Sequence, residues 1–139
     1  MKTYLRLAAG ALLFTSAAAL TSCGKHTEKD PLDGPRSSLS QIRSALQIYY
    51  GEHEGKFPDT LEELTRDGKY LKELPQANLP RHRSSNAVIY LSGPALDAKG
   101  LTDAGGYAYY NSDKYPDTKG AVVLNCTHAD KKGAPVHSY

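Results

Sequence analysis

The sequence predicts an α+β domain. One N-terminal amphipathic helix and a short second helix pack on a small, about three-stranded antiparallel sheet. Three observations lead there. Residues 37–58 carry a helical apolar stripe that ends in a glycine and proline stop. Three short runs rich in β-branched and aromatic residues, 87–91, 107–111 and 121–125, read as strands. Glycine- and proline-containing segments separate them. At 139 residues the chain is long enough for one domain and short for two.

In the first helix, Leu39, Ile42, Leu46 and Tyr49 recur at three- and four-residue spacing, with Ala45 and Tyr50 beside them. Ser38 followed by Gln41 has the pattern of a capping box. Gly51 costs about 1 kcal/mol relative to alanine in a helix and is a candidate early end. Gly55 stands where a left-handed terminal residue is wanted, and Pro58 bars simple continuation. Thr60 and Glu63 form a second capping box, so a short helix is expected from Leu61, with Leu61 and Leu64 as its apolar face. Asp67 and Gly68 stop it.

The first strand is expected at 87–91, after Pro80 and the basic cluster Arg81-His82-Arg83. A long loop, 92–106, leads to the second strand. A short turn then leads to the third, so strands two and three should pair antiparallel. Ten tyrosines with no tryptophan and only two phenylalanines point to core aromatics whose polar tips find water or a backbone partner.

The N-terminal end reads as an address. Lys2 and Arg6 precede an apolar run, residues 7–20, that is about 14 residues long. A bilayer crossing needs ~20, so the run fits an export signal, residues 1–22. Leu20, Thr21, Ser22 and Cys23 resemble the bacterial lipobox. In that family lipid is added to the cysteine thiol and the peptide is cut before it, so Cys23 is the expected lipidation site and its membrane lipid the expected partner. Two or three acyl chains would anchor stably where one would not. Gly24 after the cysteine favours the outer membrane over the inner membrane, by resemblance to enteric sorting. The alternative is an ordinary signal peptide, with Cys23 and Cys126 free to bridge. If Cys23 carries lipid, Cys126 has no internal disulfide partner and is read as a buried small apolar residue.

Residues 23–36 then form the lipidated cysteine and a polar, proline-containing tether. Fully extended, it would reach on the order of 45 Å. Residues 37–139 form the globular domain. Without Lys2 and Arg6, the 17 basic residues fall to 15, equal to the 15 acidic ones. This balance gives no reason to expect nucleic acid as a partner.

The order of parts adds a resemblance. The stretch Ala45-Leu46-Gln47-Ile48-Tyr49-Tyr50-Gly51-Glu52-His53-Glu54-Gly55-Lys56-Phe57-Pro58 and the Leu61–Leu64 segment after it resemble the soluble part of type II secretion major pseudopilins and related type IV pilin-like proteins. Gly105-Gly106-Tyr107-Ala108-Tyr109-Tyr110-Asn111, with 119–125, resembles that family's terminal hairpin; 123–133 and Tyr139 resemble the ends of some pilin-like proteins. The resemblance spans roughly residues 38–139. It implies a pilin-like fold and a non-enzymatic role through protein–protein contact in the periplasm or cell envelope, with secretion or pilus-type machinery as the partner class. The family's prepilin cleavage site and long apolar stem have no counterpart here; a lipobox-like stretch and a tether stand in their place. Assembly into an ordinary pseudopilus is therefore not expected.

Candidate chemistry is sparse. His26, His53, His82, His128 and His137 show no zinc-motif or catalytic-helix spacing with another His, Cys or Glu. Glu52-His53-Glu54 reads as a solvated helix end and Arg81-His82-Arg83 as a solvated loop. No nucleophile elbow or phosphate loop is present, and no catalytic residue is assigned. No cofactor is expected from the residues themselves. The pseudopilin resemblance raises calcium. Of the loop carboxylates Asp97, Asp103, Asp113 and Asp117, the calcium candidates are Asp113 and Asp117, with ordinary polar turns preferred. The rival functional class is thus a calcium- or glycan-binding exported module. A small envelope hydrolase would need a pocket joining a histidine and an acid.

Overall fold

The computed structural model describes residues 29–139. Residues 1–28 hold the expected signal, Leu20, Thr21, Ser22 and Cys23, and the first part of the tether; they lie outside the described residues.

The first helix, α1, runs Asp33–Glu52. It begins inside the stretch read as tether and five residues before Ser38. The reason is local chemistry. The Asp30 carboxylate accepts the Leu32 N–H at 2.9 Å and pairs with Arg36 at 3.0 Å, which stiffens the turn into the helix. Pro35 falls in the first turn, where its missing N–H is not needed. Asp33 places an anion at the positive end of the helix. The expected Ser38–Gln41 capping box is therefore not the helix start. Ser38 is buried mid-helix and donates to the Gln76 carbonyl at 3.1 Å. The stripe itself is as expected: Leu39, Ile42, Ala45 and Leu46 are all buried. Tyr50 departs from it and lies outside, its ring 4.6 Å from that of Phe57. Gly51 does not end the helix. The chain reverses just beyond, with Gly55 left-handed at φ 79° and its N–H on the Tyr50 carbonyl.

A 3-10 helix spans Leu61–Gly68. Glu63 accepts the N–H groups of Asp59 and Thr60, the return half of the expected box. Asp67 and Gly68, both with positive φ, end it where the sequence placed the stop.

The sheet holds β1 (Val88–Leu91), β2 (Tyr107–Tyr110) and β3 (Val122–Leu124) in the order β1-β2-β3. β2 and β3 pair antiparallel, with Tyr107 opposite Leu124. β1 and β2 pair parallel, with Val88 opposite Tyr107. The sheet is mixed, which corrects the expectation of an all-antiparallel one. A parallel pair needs a crossover of about a dozen residues or more, and residues 92–106 supply it.

That crossover also explains why β2 is buried throughout. Tyr107 and Tyr109 join Val122, Leu124 and the α1 stripe in the main core. Ala108 and Tyr110 join Val123 on the other face, where Ile89, Leu91 and Leu101 cover them. The two inner tyrosines keep their polar tips satisfied by backbone. Tyr107 donates to the Pro75 carbonyl at 2.9 Å and Tyr109 to the Pro58 carbonyl at 2.7 Å.

Two glycines make opposite predictions. A Cβ at Gly106, which sits at φ 73°, would lie 2.3 Å from the Ala87 carbonyl oxygen, a backbone atom held in the β1–β2 pairing. Gly106→Ala is expected to cost about 2–4 kcal/mol. Gly51 is helical and exposed with nothing near its would-be Cβ, so Gly51→Ala should stabilise by up to about 1 kcal/mol. Equilibrium urea unfolding of the two variants checks both signs.

Candidate metal centre

Three loops meet beyond the end of β3. The segment leaving β3 carries Asn125, Cys126 and His128. The last part of the crossover, before β2, carries Asp103. The loop after Pro80 carries His82. Asn125 fastens two of these together. Its side chain accepts the Thr102 N–H at 3.0 Å and donates to Thr102 Oγ1 at 2.8 Å and to the Gly105 carbonyl at 3.1 Å. Its backbone exchanges bonds with Gly105 and Gly106. Asp103 is set left-handed at φ 58°, and its Oδ1 accepts the Thr127 N–H at 2.7 Å. The third loop packs in because Gly105 has no side chain: a Cβ there would stand 3.2 Å from His82 Cβ.

The result is a four-donor cluster. His82 Nε2 is 3.3 Å from Cys126 Sγ, 3.2 Å from His128 Nδ1 and 3.6 Å from Asp103 Oδ1. His128 Nδ1 is 3.6 Å from Sγ and 3.4 Å from Oδ1. All four donor atoms lie within 4.8 Å of one another. Cys126 is 1% exposed and the His82 side chain 6%, whereas Asp103 and His128 are about a third exposed. The Thr127 N–H holds the Asp103 carboxyl below its ordinary range, helped by the nearby histidines. Burial pushes the Cys126 thiol up, and the Asp103 carboxylate adds to that. Beside the cluster is a cavity of about 210 Å³ lined by Arg81, Cys126, His128, Asp130 and Lys131 among others.

Two imidazole nitrogens, one thiol and one carboxylate are a donor set suited to a borderline-soft divalent ion. They can hold such an ion with all four corners supplied by protein. Among the described residues this is the one group of three or more ligand-type side chains that gathers.

Asp113 pairs with Lys119 at 2.5 Å, and its side chain is 90% exposed; Asp117 is exposed as well. No ligand group of the kind above gathers at either, among the described residues. His53 stacks on Tyr49 at 3.7 Å, and Glu52 pairs with Lys69 and accepts from Tyr70, as befits a helix end. The basic cluster is split. Arg81 and Arg83 are exposed, but His82 turns inward, so the solvated-loop reading fails for it. Cys126 is buried as expected, yet it faces two histidines rather than apolar atoms alone. Sequence spacing missed the cluster because its members lie 21 to 46 positions apart, save one pair. That pair, Cys126-x-His128, was the available signal: residues two apart share a side wherever the backbone is extended.

No protein-family model, curated protein or solved structure matches the chain.

Asn125→Ala would leave the Thr102 N–H and the Gly105 carbonyl without their side-chain partner. The expected loss is about 2–3 kcal/mol. Hydrogen exchange at the Thr102 amide should accelerate more than at β3 amides; equal acceleration would mean that Asn125 does not hold this loop in particular.

Proposed function

We propose that this chain is an exported, non-enzymatic envelope lipoprotein. Lipid on Cys23 anchors it, with the outer membrane favoured, and the tether carries a pilin-like domain that works through contact with a protein partner of the secretion or pilus class. One observation carries the reading. The two sequence stretches that resemble pseudopilins, the Gly55-Lys56-Phe57-Pro58 turn and the β2–β3 hairpin, are clasped to each other. Tyr109 of β2 donates to the Pro58 carbonyl, and the Phe57 ring lies where a Cβ on Gly120 would fall, 2.4 Å from the ring carbons. A turn that locks the helix onto the hairpin makes a rigid body suited to presentation.

The rival reading, an exported ion-binding module, is favoured by the donor cluster. Its nitrogen and sulfur donors speak against calcium, which takes six to eight oxygens.

The test is the intact mass of the protein extracted in detergent from its host. The expected mass is residues 23–139 plus two or three acyl chains. Cys23→Ser should then leave the membrane fraction, and envelope crosslinks of the anchored form should map to a secretion or pilus component. An unlipidated chain that retains residues 1–22, or one cut elsewhere than before Cys23, would overturn the anchoring.

A further inference from the structure

We propose that His82 Nε2, Asp103 Oδ1, Cys126 Sγ and His128 Nδ1 bind one zinc ion as a closed, structural site. This goes beyond the contact role above and stands without it.

The donor spacing is the first argument. Zinc bonds run ~2.0–2.1 Å to nitrogen, ~2.3 Å to sulfur and ~2.0–2.2 Å to oxygen. A regular tetrahedron has edges about 1.63 times its bond length, so those bonds call for edges of about 3.3–3.6 Å between donors. The nitrogen–nitrogen edge here is 3.2 Å. The two nitrogen–sulfur edges are 3.3 and 3.6 Å, and the two nitrogen–oxygen edges are 3.6 and 3.4 Å. Four of these five edges, from residues on three separate loops, fall in that range, and the nitrogen–nitrogen edge is 3.2 Å, just short of it; the sulfur–oxygen pair closes the figure within 4.8 Å.

Proton counting is the second argument. Hydrogen bonds can bridge at most three of the six donor–donor pairs in this cluster. A thiol offers one proton and a neutral imidazole one, and each can point at only one acceptor. Here four donor atoms stand close together, and every pair without a proton between them brings two lone pairs face to face. One cation among them satisfies all four atoms together.

Scaffolding is the third. Asp103 is held by Thr127, its loop by Asn125, and His82 by the space left at Gly105. The four atoms are thus convergent through the protein's own bonds. The ion ties the post-β3 segment, the end of the crossover and the 80–83 loop, three segments with little regular structure of their own. Zinc is preferred to calcium or magnesium because thiolate and imidazole are its ligands and not theirs.

The experiment uses the full chain purified in detergent, treated with chelator and dialysed metal-free. Zinc is added back, and bound metal is counted by mass spectrometry of the elements. One zinc per chain and a higher Tm are expected. Calcium at the same concentration should leave Tm unchanged. Cobalt in place of zinc should give visible bands of a tetrahedral site and a thiolate-to-cobalt charge-transfer band. Cys126→Ser should abolish that band and weaken zinc binding by at least about 100-fold, more than the 10–100-fold typical of outer-shell losses. Asp103→Asn, at a more exposed corner, should stay folded by circular dichroism yet bind at least about 10-fold more weakly. His53→Ala, outside the cluster, should leave zinc binding unchanged. A folded wild-type chain that takes up no zinc would sink the proposal. So would zinc or cobalt binding that is unchanged in Cys126→Ser and Asp103→Asn.

Discussion

Two consecutive left-handed glycines, Gly105 and Gly106, hold the architecture together. Their φ angles of 83° and 73° belong to the region that glycine alone enters cheaply. They let the crossover drop onto the start of β1, where the Tyr107 N–H reaches the Ala87 carbonyl at 2.9 Å and opens the parallel pairing. On the other side they exchange backbone bonds with Asn125, which lengthens the β2–β3 ladder by one step. The bare backbone at Gly105 makes room for His82. The parallel register, the hairpin end and the donor cluster thus share a single dipeptide. A side chain at either glycine would disturb all three.

Across the inner face of the sheet the structure is held by apolar burial and satisfied hydroxyls. The α1 stripe lies over Tyr107, Tyr109, Val122 and Leu124. Burying a side chain of this size is worth about 1.5–3 kcal/mol. A buried hydroxyl without a partner would cancel much of that. The carbonyls of Pro58 and Pro75 remove the difficulty for both inner tyrosines. Arg43 adds a polar tie from the helix to the Val122 carbonyl and to the Tyr139 carbonyl. Core and cluster are therefore built by different chemistries, and Cys126 belongs to both.

The core was largely legible in the sequence. A 3.6-residue stripe needs no knowledge of the rest of the chain, and Leu39, Ile42, Ala45 and Leu46 fall where it puts them. The Thr60–Glu63 pairing and the Asp67-Gly68 stop are equally local. The start of α1 was not legible, because it depends on Asp30 and Arg36 closing a turn across six residues that look like linker. The parallel direction of β1 was hidden as well. Strand composition carries no direction; only the length of 92–106 hinted at a crossover. The cluster lay furthest from view. His82 sat between two exposed arginines, and nothing in Arg-His-Arg says that the middle side chain turns inward. Asp103 looked like one of several loop carboxylates. Only a fold that brings residues 82, 103 and 126–128 to one place makes them a set.

Charge gives the cluster its logic. With the thiol protonated, the site holds one carboxylate beside two imidazoles, and burial favours the neutral thiol. A divalent ion reverses that preference, because a coordinating thiol is deprotonated outright. Thiolate and carboxylate then bring two negative charges to a site holding two positive ones, and an imidazole that ligates a metal adds no charge. A neutral sum is what a partly buried site tolerates best, since an unbalanced buried charge is costly. The same balance accounts for the position of the carboxylate. Asp103 is on the half-exposed side, where its own desolvation cost is smallest, while the uncharged or easily neutralised donors, His82 and Cys126, occupy the buried side. A second carboxylate in place of either imidazole would leave net negative charge in the interior. Two histidines, one cysteine and one aspartate balance a divalent ion without excess.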